Sequence, residues 1–329
     1  RFCRVQVAAT QCCDMVMLQR LSKVSLGNAA DVLGSSTHKV ILMLQHLELV
    51  AQLAKAFGNA AFEPLQPKSI VELAAANHDA GWYETDMLMP LNPLSHVPRN
   101  LVAAPAGTNV VVGQKSADLG ETIHPYVGLL ISMHHTGLQK GRYGEGGGKV
   151  PAFMEMVADT NAFREETGEA ATDEATVSAW LATESIRQER LKSKLSAERE
   201  TAPWVTDVAL WTNYRALQFF DTLALYFCLA CEEERPELDF PKVPTSAAGD
   251  SVTVKVEHVA EGRYCLDPYP FAQSPLTVTL GGTLVAPDAS APNVLALLCK
   301  GSLHVEVISL ERPPGGGATP SKRPREEGS

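Results

Sequence analysis

Four residues of types that bind metal ions fall on predicted helical faces whose other members are apolar. These are His46 with Val50 and Leu53, His78 with Val71 and Ala74, His134 with Val127 and Leu130, and Asp221 with Leu217 and Leu225. A single buried histidine is usually a core residue, but a buried carboxylate is destabilising unless it is paired or bound to a cation. Arg215 precedes Asp221 by six residues and lies on a different helical face. A metal ion bound by these histidines and by the Asp221 carboxylate would provide a partner for the ionisable side chain on each of the four faces.

The stretch "VELAAANHDAGWYETD" at residues 71–86 places His78 and Asp79 at the predicted end of a helix. Neighbouring side chains within a helix diverge by about 100°, so adjacent ligands are awkward there. At a helix end followed by Gly81, the backbone can turn and direct both side chains into one site. Imidazole and carboxylate groups without a thiolate suit a divalent transition metal, either Mn, Fe, Co, Ni or Zn, and are unlike a structural zinc site.

The composition is that of a globular protein, with 329 residues, 45% hydrophobic residues and a formal net charge of −10. The acidic balance argues against general nucleic-acid binding, which needs clustered Lys and Arg, and no apolar run is long enough to predict a membrane span. The seven cysteines form no disulfide or zinc framework, and Cys228 and Cys231 fall in an apolar helical run as predicted core residues. We therefore expect reduced thiols and an intracellular, cytoplasmic protein. A basic N-terminal stretch and a C-terminal "KRPR" leave organellar or nuclear targeting as alternatives.

Local patterns predict the elements that must position these residues. The run "HKVILMLQ" predicts a strand leading into the helix of His46, and His124 beside Pro125 is predicted to cap a further helix. The alternating segments "SVTVKVEHV", "GRYCL", "PLTVTLGGTLV" and "SLHVEVISLE" predict strands. Within them, Gly281-Gly282 predicts a two-residue hairpin turn.

Several longer motifs resemble a known family. The segments "QHLELVAQLAKAFG", "NHDAGWYETD", "ISMHHTGL", "WTNYRALQFFDTLALYFC" and "LDPYPF" resemble the domain of unknown function 3891, over residues 38–310. The order His46, His78-Asp79, Asp221 is similar to the H…HD…D signature of the HD-domain metal-dependent phosphohydrolase superfamily. This resemblance implies that these four residues bind the metal and that His134, rather than His135, is an added ligand or a phosphate contact.

The resemblance also implies a fold class that is mainly α, with an HD-like helical core and a small antiparallel β unit at the C-terminus. We accordingly expect a poorly defined N-terminal segment at residues 1–36 and a helical metal-binding core at 37–235. The β unit would span 236–311, packed on the core, and a disordered tail would span 312–329. The long stretch between Asp79 and Asp221, and the β unit itself, depart from the superfamily's compact core.

The implied activity is hydrolysis of a phosphoester-containing, anionic small molecule by a metal-activated water. Asp79 would bind the metal and orient the nucleophile, and Arg142, just past the predicted helix of His134, is placed to meet an anionic group. Lys140 is a second candidate for that contact. The alternatives are an HD-fold iron oxygenase and a non-catalytic protein that binds a metal or another ligand. The sequence predicts neither the substrate nor the oligomeric state.

Overall fold

The computed structural model describes residues 17–20, 37–83, 86–101, 106–144 and 174–314. Most of the predicted N-terminal segment, and residues 315–329 of the predicted disordered tail, lie outside the described residues. None of the helices in the described part of the chain combines the length and the apolar character that a membrane crossing requires.

The described helices are α1 (Met43–Ala56), α2 (Lys68–Asn77), α3 (Ala106–Ile123), α4 (Pro125–Gln139), α5 (Glu174–Ser196), α6 (Asp207–Leu229) and α7 (Val294–Leu298). The described strands are β1 (Met17–Arg20), β2 (His38–Ile41), β3 (Leu238–Pro244), β4 (Ser251–Ala260), β5 (Arg263–Asp267), β6 (Leu276–Val285) and β7 (Ser302–Glu311). The predicted strand from His38 into a helix is confirmed. So is the cap of α4, where His124 Nδ1 accepts a hydrogen bond of 3.0 Å from the Tyr126 backbone N–H.

The strands form one curled mixed sheet, and the predicted HD-like helical core with a small antiparallel β unit is therefore wrong. The seven described strands lie in the order β1-β2-β6-β7-β5-β4-β3, with β5 and β7 parallel and the other neighbours antiparallel. The sheet gains β1 and β2 from the N-terminal part of the chain, because β2 pairs with β6. Local periodicity identifies strands but not the distant strands with which they pair. The prediction from the sequence therefore contained fewer strands than the sheet has.

The predicted hairpin turn at Gly281-Gly282 is also wrong, because both glycines lie inside the continuous strand β6. A Cβ atom on Gly282 would lie 2.8 Å from Lys39 Cε and 3.1 Å from the Val40 carbonyl oxygen. Glycine is therefore needed here for the close approach of β2 and of the Lys39 side chain.

Helix α6 lies between the sheet and the other helices. It packs against β1 and β3 and also against α1, α2 and α4. A helix that is apolar around most of its circumference is expected in such a central position. Cys228 and Cys231, at and just after its C-terminal end, are buried free thiols, which confirms their prediction as core residues. The same central position places Asp221 in the interior.

Candidate metal centre

Four side chains from three parts of the fold converge at one buried point. His46 comes from α1, His78 and Asp79 follow α2, and Asp221 comes from α6, and their ligand atoms all lie within 4.8 Å of one another. His46 Nε2 lies 3.4 Å and His78 Nε2 lies 3.5 Å from Asp221 Oδ1. His78 Nε2 also lies 3.4 Å from Asp79 Oδ2. The structure thus brings together the four residues that the sequence singled out as ligands.

The break in the helix directs His78 and Asp79 towards the same point. Helix α2 ends at Asn77, Asp79 leaves the helical conformation with φ −113° and ψ 21°, and a short 3-10 turn follows. Gly81 has a different role from the one its position suggested, since it does not have a positive φ. A Cβ atom there would overlap the Val112 carbonyl oxygen of α3, and the Gly81 N–H donates to Ser116 Oγ at 2.9 Å. Gly81 therefore lets α3 approach the turn closely.

Hydrogen bonds around the ligands leave metal-binding lone pairs facing the centre. His78 Nδ1 lies 2.9 Å from the Ala75 carbonyl oxygen, which can only accept, so Nδ1 carries a proton and Nε2 is the ring atom left for a metal ion. His46 Nδ1 lies 3.7 Å from Cys228 Sγ. The Nε2 atoms of both histidines are buried and have no hydrogen-bond partner among the described residues. A lone pair facing a carboxylate is unfavourable unless a proton or a metal cation lies between them.

The electrostatics of the cluster favour a bound cation. Burial raises the pKa of Asp221, but the rings of His46 and His78 outweigh it and hold the pKa well below its usual value. Burial likewise raises the pKa of Asp79, and His78 again lowers it below the usual range. Burial lowers the pKa of His78, but Asp79 and Asp221 together outweigh burial and raise the pKa to about 10. The two buried carboxylates thus draw positive charge into the site.

The dimensions and the donor atoms fit a divalent transition metal. Two ligand atoms that each lie ~2.1 Å from one ion are ~3.0 Å apart at a right angle and ~3.4 Å apart at the tetrahedral angle. The histidine–carboxylate separations of 3.4–3.5 Å are close to the tetrahedral value. The four ligand atoms lie within 4.8 Å of one another, so binding one ion would draw any pair farther apart than ~4.2 Å closer together. Two imidazole nitrogens and two carboxylates are a donor set that Mn, Fe, Co, Ni and Zn accept.

His134, predicted as an added ligand, lies beside the four converging residues but is not one of them. Its ring centre is 4.8 Å from that of His78, and its Nδ1 atom is buried without a hydrogen-bond partner among the described residues. Burial, assisted by the neighbouring His78, lowers the pKa of His134 to about 3. His134 is therefore a neutral imidazole next to the centre.

His135, the less favoured of the adjacent pair, contacts the candidate ligands directly. Its Nε2 atom lies 2.8 Å from the His78 carbonyl oxygen and 3.3 Å from Asp79 Oδ1. Because the carbonyl oxygen can only accept, Nε2 carries a proton that it donates to this oxygen, and the N–H group lies beside the Asp79 carboxylate. A sequence signal for this role exists, since His135 follows the apolar Ile131 and Gly128 at helical spacing, as His134 follows Leu130 and Val127.

The more open side of the centre lies at Asp79, whose side chain is 13% exposed, whereas that of His78 is fully buried. Tyr83 is 39% exposed, and burial together with the charge of Asp79 raises the pKa of its hydroxyl. Lys140 follows α4, with its Nζ atom 5.1 Å from the Tyr143 ring centre. Arg142 lies in the next turn, and its side chain is outside the described part of the structure.

Replacing His135 by Gln is expected to weaken metal binding by about ten- to a hundredfold, the usual cost of losing a residue that orients a ligand. The reason is the loss of the Nε2–H group, which donates to the His78 carbonyl oxygen and lies 3.3 Å from Asp79 Oδ1. A competition titration against a fluorescent chelator measures the change. His124→Gln, at the N-cap of the same helix, is the matched control and should keep the wild-type affinity. Equal affinities for wild type and His135→Gln would show that His135 does not support the site.

A family model described as "Protein of unknown function (DUF3891)" matches residues 34–286, which include all four converging residues. The resemblance to that family is thus confirmed. No curated protein and no solved structure shows significant similarity to the chain.

Proposed function

The chain belongs to this family of unknown function, and we propose that it is a metal-dependent hydrolase of phosphoester-containing small molecules. The observation that carries the proposal is the convergence on two buried carboxylates of two histidine Nε2 atoms that have no hydrogen-bond partner in the described part of the chain. Burying a cluster of ionisable side chains costs folding free energy. Such clusters with perturbed pKa values are often found at functional sites. The order of the four residues along the chain, which underlies the resemblance to HD-domain phosphohydrolases, supports the choice of reaction.

The residues of the chain have distinct tasks in this proposal. His46, His78, Asp79 and Asp221 hold a divalent metal, which supplies Lewis-acid activation of a water molecule and of a phosphoryl oxygen when bound. Asp79, at the more open side, also orients the attacking water, and His135 holds Asp79 in place. Lys140 and Arg142 meet the negative charge of the phosphate.

The chemistry of the donor set favours catalysis over a structural role for the metal. Structural zinc sites usually contain cysteine thiolates and are closed by protein ligands on every side. Here the set contains no thiolate, and Asp79 is partly open to solvent. An ion that accepts five or six ligands would keep positions for water and substrate beside these four.

The proposal is tested by loading the metal-free protein with Mn²⁺, Co²⁺, Ni²⁺ or Zn²⁺ and assaying a panel of phosphomonoesters, phosphodiesters and nucleotides. At least one metal form should hydrolyse a member of the panel. Asp79→Asn should reduce that rate by at least about a hundredfold, since it removes a ligand and the orienting carboxylate. If no metal form of the wild type exceeds Asp79→Asn on any ester, the hydrolase proposal is wrong.

One observation favours a second candidate, an iron oxygenase. The neutral His134, with its buried Nδ1 atom next to His78, offers an additional nitrogen donor that would suit an iron centre. Iron content of the purified protein and substrate-dependent O₂ consumption separate this candidate from hydrolysis. Metal binding without either activity would instead identify a metal- or ligand-binding protein.

A further inference from the structure

A second site lies at one end of the curled sheet, apart from the candidate metal centre. A cavity of about 460 Å³ opens there between the strand ends and the segment that follows α6. Its lining includes Lys39, Glu232, His258, Glu261, His304 and Glu306. The volume is within the range of pockets that hold small molecules.

The register of the sheet places the polar residues of the cavity on the inner face. Lys39 pairs with Leu284, His304 with Gly282 and Glu306 with Leu280, all at alternate positions of β6. Residues that pair across neighbouring strands point to the same face, so these side chains share the face of the core residue Leu280. The sheet thus carries charged groups on the face that also contains the apolar core residue Leu280.

Lys39 is a buried primary amine held in a prepared position. Its side chain is 1% exposed, and Nζ lies 3.2 Å from Glu306 Oε2 and 3.4 Å from the Leu280 carbonyl oxygen. The aliphatic part of the Lys39 side chain passes over Gly282, where the Cβ atom of any larger residue would collide with Lys39 Cε and Cγ. Glycine inside a strand is destabilising, so its presence at this position indicates that the space for this lysine matters.

Arg235 donates hydrogen bonds to Glu306, the carboxylate that also contacts Lys39, and all of its N–H groups have acceptors. Its Nε donates to the Ala230 carbonyl at 3.0 Å, and Nη2 donates to the Phe227 carbonyl at 2.9 Å. Nη1 donates to the Tyr264 hydroxyl at 2.6 Å, and both Nη atoms donate to Glu306, at 2.5 and 3.2 Å. These contacts use all the donors of a guanidinium group. Lys39, with two acceptors among the described residues for three ammonium protons, retains hydrogen-bonding capacity at the cavity.

The surroundings favour the neutral, nucleophilic form of this amine. Burial lowers the pKa of Lys39, and the nearby Arg235 acts in the same direction, whereas Glu306 opposes both without outweighing burial. A lysine that is desolvated and lies close to another cation is the environment of amines that form Schiff bases. The neighbouring His304 has a buried Nδ1 atom without a hydrogen-bond partner among the described residues.

The charges of the cavity select the kind of ligand. Carboxylates at Glu232, Glu233 and Glu261 line the cavity and disfavour an anion. Glu232 is held by His258 Nε2 at 2.7 Å and by the Gly262 N–H at 2.5 Å. These carboxylates and Glu306 are compatible with a neutral ligand, and their negative charge would stabilise a cation formed by reaction at Lys39.

We propose that this cavity binds a small neutral aldehyde or ketone, which condenses reversibly with the Lys39 amine. The nitrogen lone pair forms a C–N bond to the carbonyl carbon. The carbonyl oxygen leaves as water, taking with it two of the three protons of the original ammonium group. The product is a protonated imine, whose positive charge stays on the Lys39 nitrogen beside Glu306. Reactants and products balance without an oxidant or a reductant.

The test uses propanal as the carbonyl probe and cyanoborohydride as a trap at neutral pH, with peptide mapping by mass spectrometry. Lys39 should be alkylated faster than the exposed Lys55, since burial lowers the pKa of Lys39 and so raises its free-amine fraction. The rate at Lys39 should also saturate as the propanal concentration rises, whereas the rate at Lys55 should increase linearly.

Lys39→Arg is the matched variant, because it keeps a cation for Glu306 but cannot form an imine. It should unfold cooperatively and show unchanged alkylation of its other lysines. In Asp79→Asn, alkylation at Lys39 should match the wild type, because the two sites are separate. If Lys39 in the wild type reacts no faster than Lys55, or reacts without saturation, the proposed site does not exist.

Discussion

Replacing Asp221 by Asn is expected to lower the affinity for the metal by at least about a hundredfold, more than the loss of an orienting residue. One oxygen of Asp221 lies within 3.5 Å of the Nε2 atoms of both His46 and His78, so Asp221 joins the two histidines at the centre. Asn preserves the volume of the side chain but removes the charge that neutralises a cation. Elemental analysis after dialysis against a metal buffer measures the effect.

Asp239→Asn is the matched control for this experiment, because Asp239 is an exposed aspartate on β3. It should retain the metal content of the wild type. Circular dichroism of both variants checks that they fold. A folded Asp221→Asn protein with the wild-type metal content would remove Asp221 from the proposed ligand set.

Replacing Arg235 by Met is expected to lower the free energy of unfolding by about 3–5 kcal/mol, the usual effect of removing one partner of a buried ion pair. Arg235 is 5% exposed, and its loss leaves the partly buried carboxylate of Glu306 with Lys39 as its remaining cationic partner among the described residues. The carbonyl oxygens of Ala230 and Phe227 also lose their guanidinium donor. Urea unfolding followed by circular dichroism measures the change.

Arg263→Met provides the control, because Arg263 also forms a two-point contact with a carboxylate, at 2.7 Å to each oxygen of Glu311. That pair is on the surface, where solvent screens the attraction, so its loss should have little effect on unfolding. If the free energy of unfolding decreased by the same amount in both variants, burial of the Arg235 ion pair would not explain its contribution to stability.

Much of the candidate metal centre could be predicted from the sequence, because its signals are local. An ionisable residue at helical spacing from apolar ones marks a buried position, and this pattern singled out His46, His78 and Asp221. The end of α2 at the His78-Asp79 pair was also readable from the sequence. The role of His135 was missed because two adjacent histidines occupy equally apolar faces, and only the tertiary structure shows which contacts Asp79.

The architecture of the sheet could not be read in the same way. The pairing of β2 with β6 joins segments that are far apart in the sequence, and neither segment carries a local mark of its partner. Gly281-Gly282 has the composition of a hairpin turn, although the actual requirement is space for Lys39. The ion pair of Glu306 with Lys39 depends on this same distant pairing.

The most direct test of the central proposal is an anomalous diffraction map of the protein crystallised with Mn²⁺ or Zn²⁺, recorded at the absorption edge of that metal. We expect an anomalous peak about 2.0–2.2 Å from His46 Nε2, His78 Nε2 and oxygens of Asp79 and Asp221. The contradicting result would be a metal-containing crystal in which every anomalous peak lies away from these four residues and their side chains contact one another through hydrogen bonds alone. That result would rule out both the metal centre and the hydrolase activity proposed for it.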